Sequence, residues 1–395
     1  MKLRQKPEDF KVEEINQFKL LASGSYKLYI LEKKSVETFG LLNDLSAQNK
    51  IPVHEFGIAG LKDKHAVTKQ YFTIPSKYTL NPLKEQDFRL IFLGYVDKKL
   101  ELGDLQSNRF EIVVRDIKKG ETDSVIQKAQ TITEICAPNY FDSQRFGSVI
   151  DKEFIAKYLV KKNYERAVKH FLTKSTAFEP RKFKEEKNKL LANWNNLSNL
   201  SLTQLNITNR TPYAILEEYK RTKNWLSAYK KIPANLREMF ISAYQSYLWN
   251  ECVKEILRKT VNNKSLYSVP YNIGSLLFYK KLSAGEMKLI PNSIKTISDE
   301  LDINKLSPLE KYAIEKVLAK EGITLKDFNI KQETGNFFKT SDRAVLLKPE
   351  HFSISKPLVD ELNTKGSMQR YKFILNFSLP KGKYATIITK RLFNQ

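Results

Sequence analysis

An aspartate between two lysines is the first feature of this sequence that could carry out chemistry. The segment GIAGLKDKHAVTKQYF places Asp63 between Lys62 and Lys64. Two preceding glycines, Gly57 and Gly60, permit a tight backbone course, and AVTKQYFTI after them has strand character. We therefore expect Asp63 on a loop beside a sheet, where catalytic groups are commonly placed, although an ordinary solvated turn aspartate would have the same surroundings.

Two further segments combine aromatic and polar side chains. In LQSNRFEIVVR, Asn108 and Phe110 are predicted to lie on the same face of a strand, and in NYFDSQRFG the aromatic residues alternate with Asn139, Gln144 and Arg145. Such groups can stack on unpaired bases and hold phosphates. A strand phenylalanine buried in the core, and a turn with buried aromatics, are the alternative interpretations.

The charge balance indicates a polyanionic partner. Lys and Arg number 67 against 44 Asp and Glu, which gives a net charge of +23 over 395 residues. A surplus of this size attracts nucleic acid by Coulomb forces and counterion release, although a lysine-rich composition shared by a whole proteome would look similar. The length predicts two domains, and the 41% hydrophobic content predicts packed cores.

Metal, disulfide and membrane proteins are disfavoured. Two cysteines and four histidines occur without the spacings of zinc sites, so neither a structural metal nor a disulfide framework is expected. The start MKLRQKPEDF lacks the apolar stretch of a signal peptide, and no apolar run is long enough to span a membrane. A cytoplasmic protein is therefore expected.

Strand patterns occur at both ends of the chain and must position these residues. SYKLYIL, RFEIVVRDI and YKFILNFSLP alternate apolar with other residues, which favours an antiparallel sheet. VETFGLLNDL has helical spacing, with Ser35 as the predicted N-cap and an apolar face of Val36, Phe39, Leu42 and Leu45.

Helix patterns dominate the middle of the chain. A helix is predicted through DKEFIAKYLVKKNYERAVKHFL and another through ISAYQSYLWNECVKEIL. A third is predicted between the N-cap Ser307 and Gly322, with Pro308 in its first turn and Glu310 closing a capping box. One sheet domain interrupted by a helical insertion, or two domains in tandem, would give this pattern.

Four separated stretches resemble the TruD family of pseudouridine synthases. They are GIAGLKDKHAVTKQ, APNYFDSQRFG, LQSNRFEIVVR and the N-terminal RQKPEDFKVEEI, and the ending LPKGKYATIITKRLF is similar as well. The resemblance implies an α+β fold: a pseudouridine-synthase catalytic domain with a mixed, mainly antiparallel sheet, interrupted by a large helix-rich insertion. The catalytic domain would comprise residues 1–151 and 341–395, and the insertion residues 152–340.

The resemblance also implies isomerisation of uridine to pseudouridine in tRNA, with uridine 13 as the family's usual bacterial target. No metal or organic cofactor belongs to this chemistry. Neither a membrane nor an obligate protein partner is expected. Because the glycosidic bond must break while base and sugar stay together, a carboxylate acting as a nucleophile or as a base that generates a glycal is suited to the reaction.

By position in GLKD, Asp63 corresponds to the catalytic aspartate of the family. Lys62, Lys64 and an arginine from elsewhere would favour its ionised form. Arg4, Asn108 and Phe110 correspond to residues at the uridine pocket, and Glu8 and Asp9 would be structural residues that orient Arg4. The RNA-binding candidates are Lys62, Lys64, Asn139, Gln144 and Arg145.

Without the resemblance, the residues by themselves are also compatible with two other functional classes. A metal-dependent nuclease would use acidic residues to bind Mg²⁺, although no D-x-D, E-x-K or H-x-x-x-D arrangement occurs. A non-catalytic RNA-binding module would be satisfied by charge and aromatics, but it has no use for a carboxylate among lysines.

Overall fold

The computed structural model describes residues 1–81, 87–176, 179–197, 199–205, 207 and 209–394. Its strands are β1 (Phe10–Ile15), β2 (Tyr26–Lys34), β3 (Gly57–Ile58), β4 (Val67–Pro75), β5 (Phe88–Val96), β6 (Ser107–Ile117), β7 (Ala137–Pro138), β8 (Leu266–Tyr271), β9 (Gly274–Tyr279), β10 (Ser293–Lys295), β11 (Asp342–Ala344), β12 (Leu346–Leu347), β13 (Glu350–Ile354), β14 (Leu358–Val359) and β15 (Tyr371–Pro380). Its helices are α1 (Thr38–Asn49), α2 (Thr122–Ile135), α3 (Ile155–Val160), α4 (Tyr164–Thr173), α5 (Arg181–Ala192), α6 (Arg210–Thr222), α7 (Trp225–Lys230), α8 (Ala234–Thr260), α9 (Ala284–Leu289), α10 (Pro308–Glu321), α11 (Lys331–Thr334) and α12 (Ala385–Phe393).

The chain folds into two compact units. The first comprises Met1–Ala137 and Leu347–Asn394, and the second comprises Pro138–Leu346. The first unit is thus built from both ends of the chain, and the second from its uninterrupted middle. The boundaries predicted from sequence, after residues 151 and 340, both lie inside the second unit.

A single sheet in the first unit contains strands from both ends of the chain. The strand order is β13-β15-β6-β1-β4-β2-β5, with β14 beside β15 and β3 beside β4. β1 and β4 are parallel, and the other neighbouring strands of this sheet are antiparallel. The predicted sheet, mixed but mainly antiparallel, is confirmed.

One row of residues crosses four neighbouring strand pairs and defines a face of this sheet. Lys33 pairs with Thr68, Thr68 with Val12, Val12 with Phe110, and Phe110 with Phe377. Because directly opposite residues project to the same side, these five side chains share one face.

The same face continues two residues further along the strands. Glu14 lies directly opposite Asn108, and Gln70 lies opposite Leu31. Side chains two residues apart on a strand project to the same side, so these polar groups share the face that carries Phe110. The sheet therefore brings charged, amide and aromatic side chains together.

Helix α1 differs from the prediction at its start. Its N-cap is Glu37, whose carboxylate accepts the backbone N–H groups of Phe39 and Gly40. Ser35 instead adopts a left-handed backbone with φ of +60°, so the predicted serine cap is wrong. Phe39 is 48% exposed rather than part of the apolar face. The helix packs through Leu41, Leu42 and Leu45 onto Leu31, Phe72 and Ile74 of the sheet.

The helices of the second unit follow the sequence pattern with two corrections. The segment that the periodicity predicts as one helix from residue 151 forms α3 and α4, with Lys162 between them at φ of +54°. Helix α10 begins after Ser307, whose hydroxyl accepts the N–H of Glu310. The Glu310 carboxylate, however, accepts the N–H of Lys295 rather than closing a capping box. Gly322 caps the helix in the left-handed region, as predicted.

Within the described residues, no helix has the length and apolar character that crossing a membrane requires.

Candidate active site

Asp63 lies on the loop between β3 and β4, beside the sheet. Its Oδ2 atom is 2.7 Å from Nη1 of Arg4, and its side chain is 18% exposed. Its Oδ1 atom accepts the backbone N–H of His65 at 3.0 Å. Both carboxylate oxygens therefore have fixed donors, while part of the group remains accessible. The prediction of a loop position beside a sheet is confirmed.

Buried polar side chains hold the backbone of this loop. Nε2 of Gln70 donates to the carbonyl of Gly60 at 3.4 Å. The hydroxyl of Thr38 lies 3.5 Å from the carbonyl of Lys62 and 3.2 Å from Oε1 of Gln70. Thr38 and Gln70 are fully buried. Because carbonyls in the interior need donors, these side chains select one course for the loop that carries Asp63.

A buried lysine completes this support. Nζ of Lys33 donates to the carbonyl of Val36 at 2.7 Å and to the carbonyl of Asp63 at 3.2 Å. Lys33 is only 2% exposed, and burial lowers the pKa of its ammonium to about 8, although the nearby Asp63 charge raises it. Lys33 was not among the predicted residues. A lysine two positions after the apolar Leu31 on one strand face was its only signal in the sequence.

Only one of the two glycines ahead of Asp63 is required by close contacts. A Cβ at Gly57 would lie 2.5 Å from the carbonyl oxygen of Leu100 and 2.5 Å from the hydroxyl oxygen of Thr73, which is closer than atoms approach. A Cβ at Gly60 would have no neighbour within 4 Å. Close packing therefore requires a glycine at position 57, whereas the surroundings of Gly60 leave room for a side chain.

Lys62 does not face Asp63. Its Nζ lies 2.8 Å from Oε1 of Glu14 and donates to Oδ1 of Asn108 at 2.8 Å. The side chain of Lys62 is 8% exposed, and it forms an ion pair with Glu14. Its burial disagrees with the prediction that it contacts RNA, and its direction disagrees with the prediction that it stabilises ionised Asp63. Lys64 on the other side of Asp63 is exposed.

Glu14 is a further site residue that the sequence analysis did not identify. Its side chain is fully buried, and its Oε2 atom accepts the backbone N–H of Tyr71 at 2.8 Å. A buried carboxylate is costly unless it is paired, and here one oxygen pairs with Lys62 while the other accepts a backbone hydrogen bond. The segment RQKPEDFKVEEI resembles a family motif, but it gave no indication that Glu14 is buried.

Phe110 lies in an aromatic cluster beside Arg4. Its ring is 6.2 Å from that of Phe10, edge to face, and 5.5 Å from that of Phe377. The guanidinium of Arg4 lies 4.1 Å above the ring of Phe10. Phe110 is 6% exposed, so it contributes to the core and also lies within a chain of contacts that reaches Asp63. Arg4, Asp63, Phe110 and the Lys62–Asn108 pair thus form one site.

A buried ion cluster around Arg115 fixes the chain at Lys2, two residues before Arg4. Lys2 exchanges two backbone hydrogen bonds with Arg115, and the side chain of Arg115 binds Asp9 and Asp360 at 2.9 Å each.

Glu8 instead pairs with Lys34. The expectation that Glu8 and Asp9 orient Arg4 therefore needs correction: neither carboxylate contacts Arg4. Asp9 binds the side chain of Arg115, and the backbone of Arg115 pairs with Lys2, two residues before Arg4. Arg4 itself adopts φ of +57°, in the left-handed region.

Three predicted RNA-binding residues belong to the second unit. Asn139 is fully buried; it donates to the carbonyl of Ala344 at 2.7 Å and accepts from Arg343 at 3.1 Å. Its role as an RNA contact is therefore corrected to a structural one. Arg145 is partly buried and donates to the hydroxyl of Ser242 at 2.8 Å, whereas Gln144 is exposed.

Metal-ligating residues do not cluster in the described part of the chain. No group of three or more His, Cys, Asp or Glu side chains there is arranged to hold a metal ion. Cys136 and Cys252 are free thiols, and complete burial raises the pKa of Cys252.

Comparisons with known proteins agree with the resemblance in the motifs. The profile of the family described as "tRNA pseudouridine synthase D (TruD)" matches residues 1–268 and 302–392. The "Probable tRNA pseudouridine synthase D 2" of Methanocaldococcus jannaschii is 41% identical over 396 residues, covering 100% of this chain and 92% of the relative. The "tRNA pseudouridine synthase D" of Aquifex aeolicus is 31% identical, covering 100% and 98%.

A solved structure shows the same fold. The crystal structure of the putative tRNA pseudouridine synthase D (TruD) from Methanosarcina mazei is 26% identical, covers 100% of this chain and 93% of the solved one, and has a TM-score of 0.71. The α+β fold class predicted from the motifs is confirmed. From the profile match and the full-length relatives we conclude that this chain belongs to the TruD family of tRNA pseudouridine synthases.

Proposed function

We propose that this chain isomerises uridine to pseudouridine at position 13 of tRNA, with Asp63 as the catalytic carboxylate. The observation that carries the proposal is the 2.7 Å ion pair of Arg4 with Asp63 on a loop anchored to the sheet, in a chain of the TruD family. The relatives are named tRNA pseudouridine synthases, and the proposal extends that substrate class to this protein.

The proposed reaction breaks the N1–C1′ bond of uridine, rotates the base and forms a C5–C1′ bond. C5 loses a proton and N1 gains one, so the reaction needs no oxidant or reductant, and the proposal includes no metal or organic cofactor. Asp63 acts either as a nucleophile or as the base that generates a glycal, and both routes use an ionised carboxylate. Arg4 orients one carboxylate oxygen and balances its charge.

Around this centre, Arg4, Asn108 and Phe110 form the uridine pocket. Phe110 stacks on the base, and Asn108 hydrogen-bonds to it. The exposed Lys64 and Gln144 and the partly buried Arg145 remain the candidates for contacts to the rest of the RNA. The buried Lys62 and Asn139 are not retained as RNA contacts.

The two compact units receive separate roles in this proposal. The first unit, which contains Asp63 and its sheet, is the catalytic domain. The second unit, Pro138–Leu346, is the insertion that distinguishes the family, and its lysine-rich helices contribute to tRNA binding.

Tritium release from [5-³H]uridine-labelled tRNA tests the proposal, because C5 loses its proton only when the new bond has formed. We expect release by the wild type in the presence of EDTA and mapping of the modified base to position 13. Asp63→Asn should lower release by about 10³-fold or more while leaving tRNA affinity intact. Asp97→Asn is the matched control, because it removes an equal charge from an exposed turn in the same unit.

The other functional classes give different results in the same assay. A metal-dependent nuclease would cut the tRNA and lose activity in EDTA, and a pure binding module would release no tritium at all. Release by Asp63→Asn at nearly the wild-type rate would remove Asp63 from the mechanism. Modification at another uridine would leave the activity intact and overturn only the choice of position 13.

A further inference from the structure

We propose that Glu14 and Lys62 are positioning residues that commit the amide of Asn108 to donate hydrogen bonds, so that the site accepts a uracil carbonyl and rejects an amino group at that place. This inference rests on the proposed function, because it takes the base bound near Asn108 to be the uracil that reacts. It assigns a purpose to a lysine that lies next to Asp63 and yet turns away from it.

The orientation of the Asn108 amide follows from the chemistry of lysine. Nζ of Lys62 lies 2.8 Å from the Oδ1 position of Asn108. An ammonium group has three donors and no acceptor, so the amide atom that faces it must be the oxygen. The assignment does not depend on distinguishing oxygen from nitrogen, because the reverse orientation would set two donors against each other.

Lys62 is itself fixed by Glu14. The two charged atoms lie 2.8 Å apart, and the side chains are 8% and 0% exposed. The second oxygen of Glu14 is held by the backbone N–H of Tyr71 at 2.8 Å, and Glu14 lies directly opposite Asn108 in the sheet. A pair this deeply buried is neither screened by salt nor free to turn toward an RNA phosphate.

The amide nitrogen of Asn108 consequently points away from Lys62. Among the described residues this nitrogen has no hydrogen-bond partner, and Asn108 is only partly buried. The nitrogen is therefore available to a bound base. Its neighbour on the same strand face is Phe110, which the proposed function places against the ring of that base.

The fixed orientation of the Asn108 amide allows the site to distinguish uracil from bases that carry an amino group. Uracil presents carbonyl oxygens at C2 and C4, and both accept hydrogen bonds from an amide nitrogen. Cytosine replaces the C4 oxygen by an amino group, and isocytosine replaces the C2 oxygen. An unconstrained asparagine would rotate its amide and accept from either amino group. The Lys62 ammonium prevents that rotation, so an amino group at the contacted position meets another donor.

The test compares the binding of three tRNAs that carry uridine, cytidine or isocytidine at the position modified by the wild-type enzyme. All proteins carry Asp63→Asn, so that turnover does not disturb the binding equilibrium. The protein with Glu14, Lys62 and Asn108 intact should bind the uridine tRNA about tenfold more tightly than one of the two amino-bearing tRNAs. Which of the two is disfavoured identifies the carbonyl that Asn108 contacts.

Removing the positioning pair should remove the preference. The double substitution Glu14→Gln with Lys62→Met avoids leaving one buried charge unpaired, and it should reduce the tenfold factor to about threefold or less. Lys64→Met, on the exposed side of Asp63, is the matched control. It should weaken binding of all three tRNAs equally and leave the ratio unchanged.

Two results would overturn the inference: no preference for uridine in the protein with the intact pair, or an unchanged preference in the folded double variant. Should the double variant fail to fold, Asn108→Asp decides, because its carboxylate only accepts and still pairs with Lys62. That variant should bind the disfavoured amino-bearing tRNA at least as tightly as the uridine tRNA, and a retained preference for uridine would refute the idea. Tritium release by the wild type is measured first, so a failure of the proposed function is recognised separately.

Discussion

Lys33 provides a quantitative test of how the loop carrying Asp63 is held. Its ammonium is buried and donates to the carbonyls of Val36 and Asp63. Substitution by methionine keeps the length of the side chain and removes both the charge and the donors. We expect Lys33→Met to change the pH dependence of stability of the first unit and to reduce the rate of tritium release, because the carbonyl of Asp63 loses a donor.

The direction of the pH effect follows from the lowered pKa. In the folded protein Lys33 loses its proton near pH 8, because burial disfavours the charged form, whereas in the unfolded chain it does so near 10.5. Between these values the unfolded state binds more protons, so stability rises with pH. At about 1.4 kcal/mol per pKa unit, the free energy of unfolding rises by about 3 kcal/mol over the whole range, and by about 2 kcal/mol between about pH 7.5 and 9.5.

The measurement must report on the first unit, and fluorescence does not. The three tryptophans, Trp194, Trp225 and Trp249, all lie in the second unit. Hydrogen exchange followed by mass spectrometry, in peptides that cover β2 and β4 and corrected for the intrinsic rate at each pH, gives the opening free energy of the relevant sheet. Tryptophan fluorescence during urea unfolding then serves as an internal reference for the second unit.

The comparison is the wild type against Lys33→Met, with Lys34→Met as the control. Lys34 is an exposed neighbour whose hydrogen bond to Glu8 raises its pKa, so its titration lies above this pH range. Between about pH 7.5 and 9.5, the opening free energy of the wild type should rise by about 2 kcal/mol relative to that of Lys33→Met. The opening free energy of Lys34→Met should change with pH as that of the wild type does. Equal pH profiles for wild type and Lys33→Met would show that Lys33 titrates normally and would refute the assigned cause.

Three other outcomes are expected. Arg4→Lys keeps the charge but loses the planar group above Phe10, so single-turnover tritium release should fall about tenfold or more with little change in tRNA binding; an unchanged rate would contradict a role for the guanidinium. Phe110→Leu keeps the apolar volume but removes the aromatic surface, whose stacking on a base contributes about 1 to 3 kcal/mol, so kcat/KM should fall about tenfold or more. Normal turnover together with lowered thermal stability would identify Phe110 as a packing residue. Finally, the slope of log K for tRNA binding against log salt should become shallower by about 0.9 in Lys64→Met, as expected for one lost duplex phosphate contact. The slope should stay unchanged in the Glu14→Gln, Lys62→Met double variant. Equal slopes for both variants would contradict the different exposure of the two lysines.

Local patterns in the sequence were sufficient to predict the elements. Alternating residues predicted β6 and β15, helical spacing predicted α8, and Ser307 with Gly322 marked the two ends of α10. These predictions succeeded because each depends on a short periodicity or on one capping contact. The α1 start was predicted wrongly because a glutamate side chain, reaching backbone N–H groups from Glu37, replaced the serine expected as the cap.

The motifs determined the family and the candidate catalytic residue, and they placed Asp63 on a loop beside a sheet. They did not determine which charged side chains face that loop. Lys62 and Lys64 flank the same aspartate, yet only the tertiary structure shows that Lys62 turns inward to Glu14 while Lys64 stays exposed. Lys33 and Glu14 had no motif of their own because their burial depends on strands far apart in sequence. The pairing of β1 with β4 and β6 places Glu14 beside the Asp63 loop, and the pairing of β2 with β4 places Lys33 there. Such a register depends on long-range pairing that no local pattern encodes.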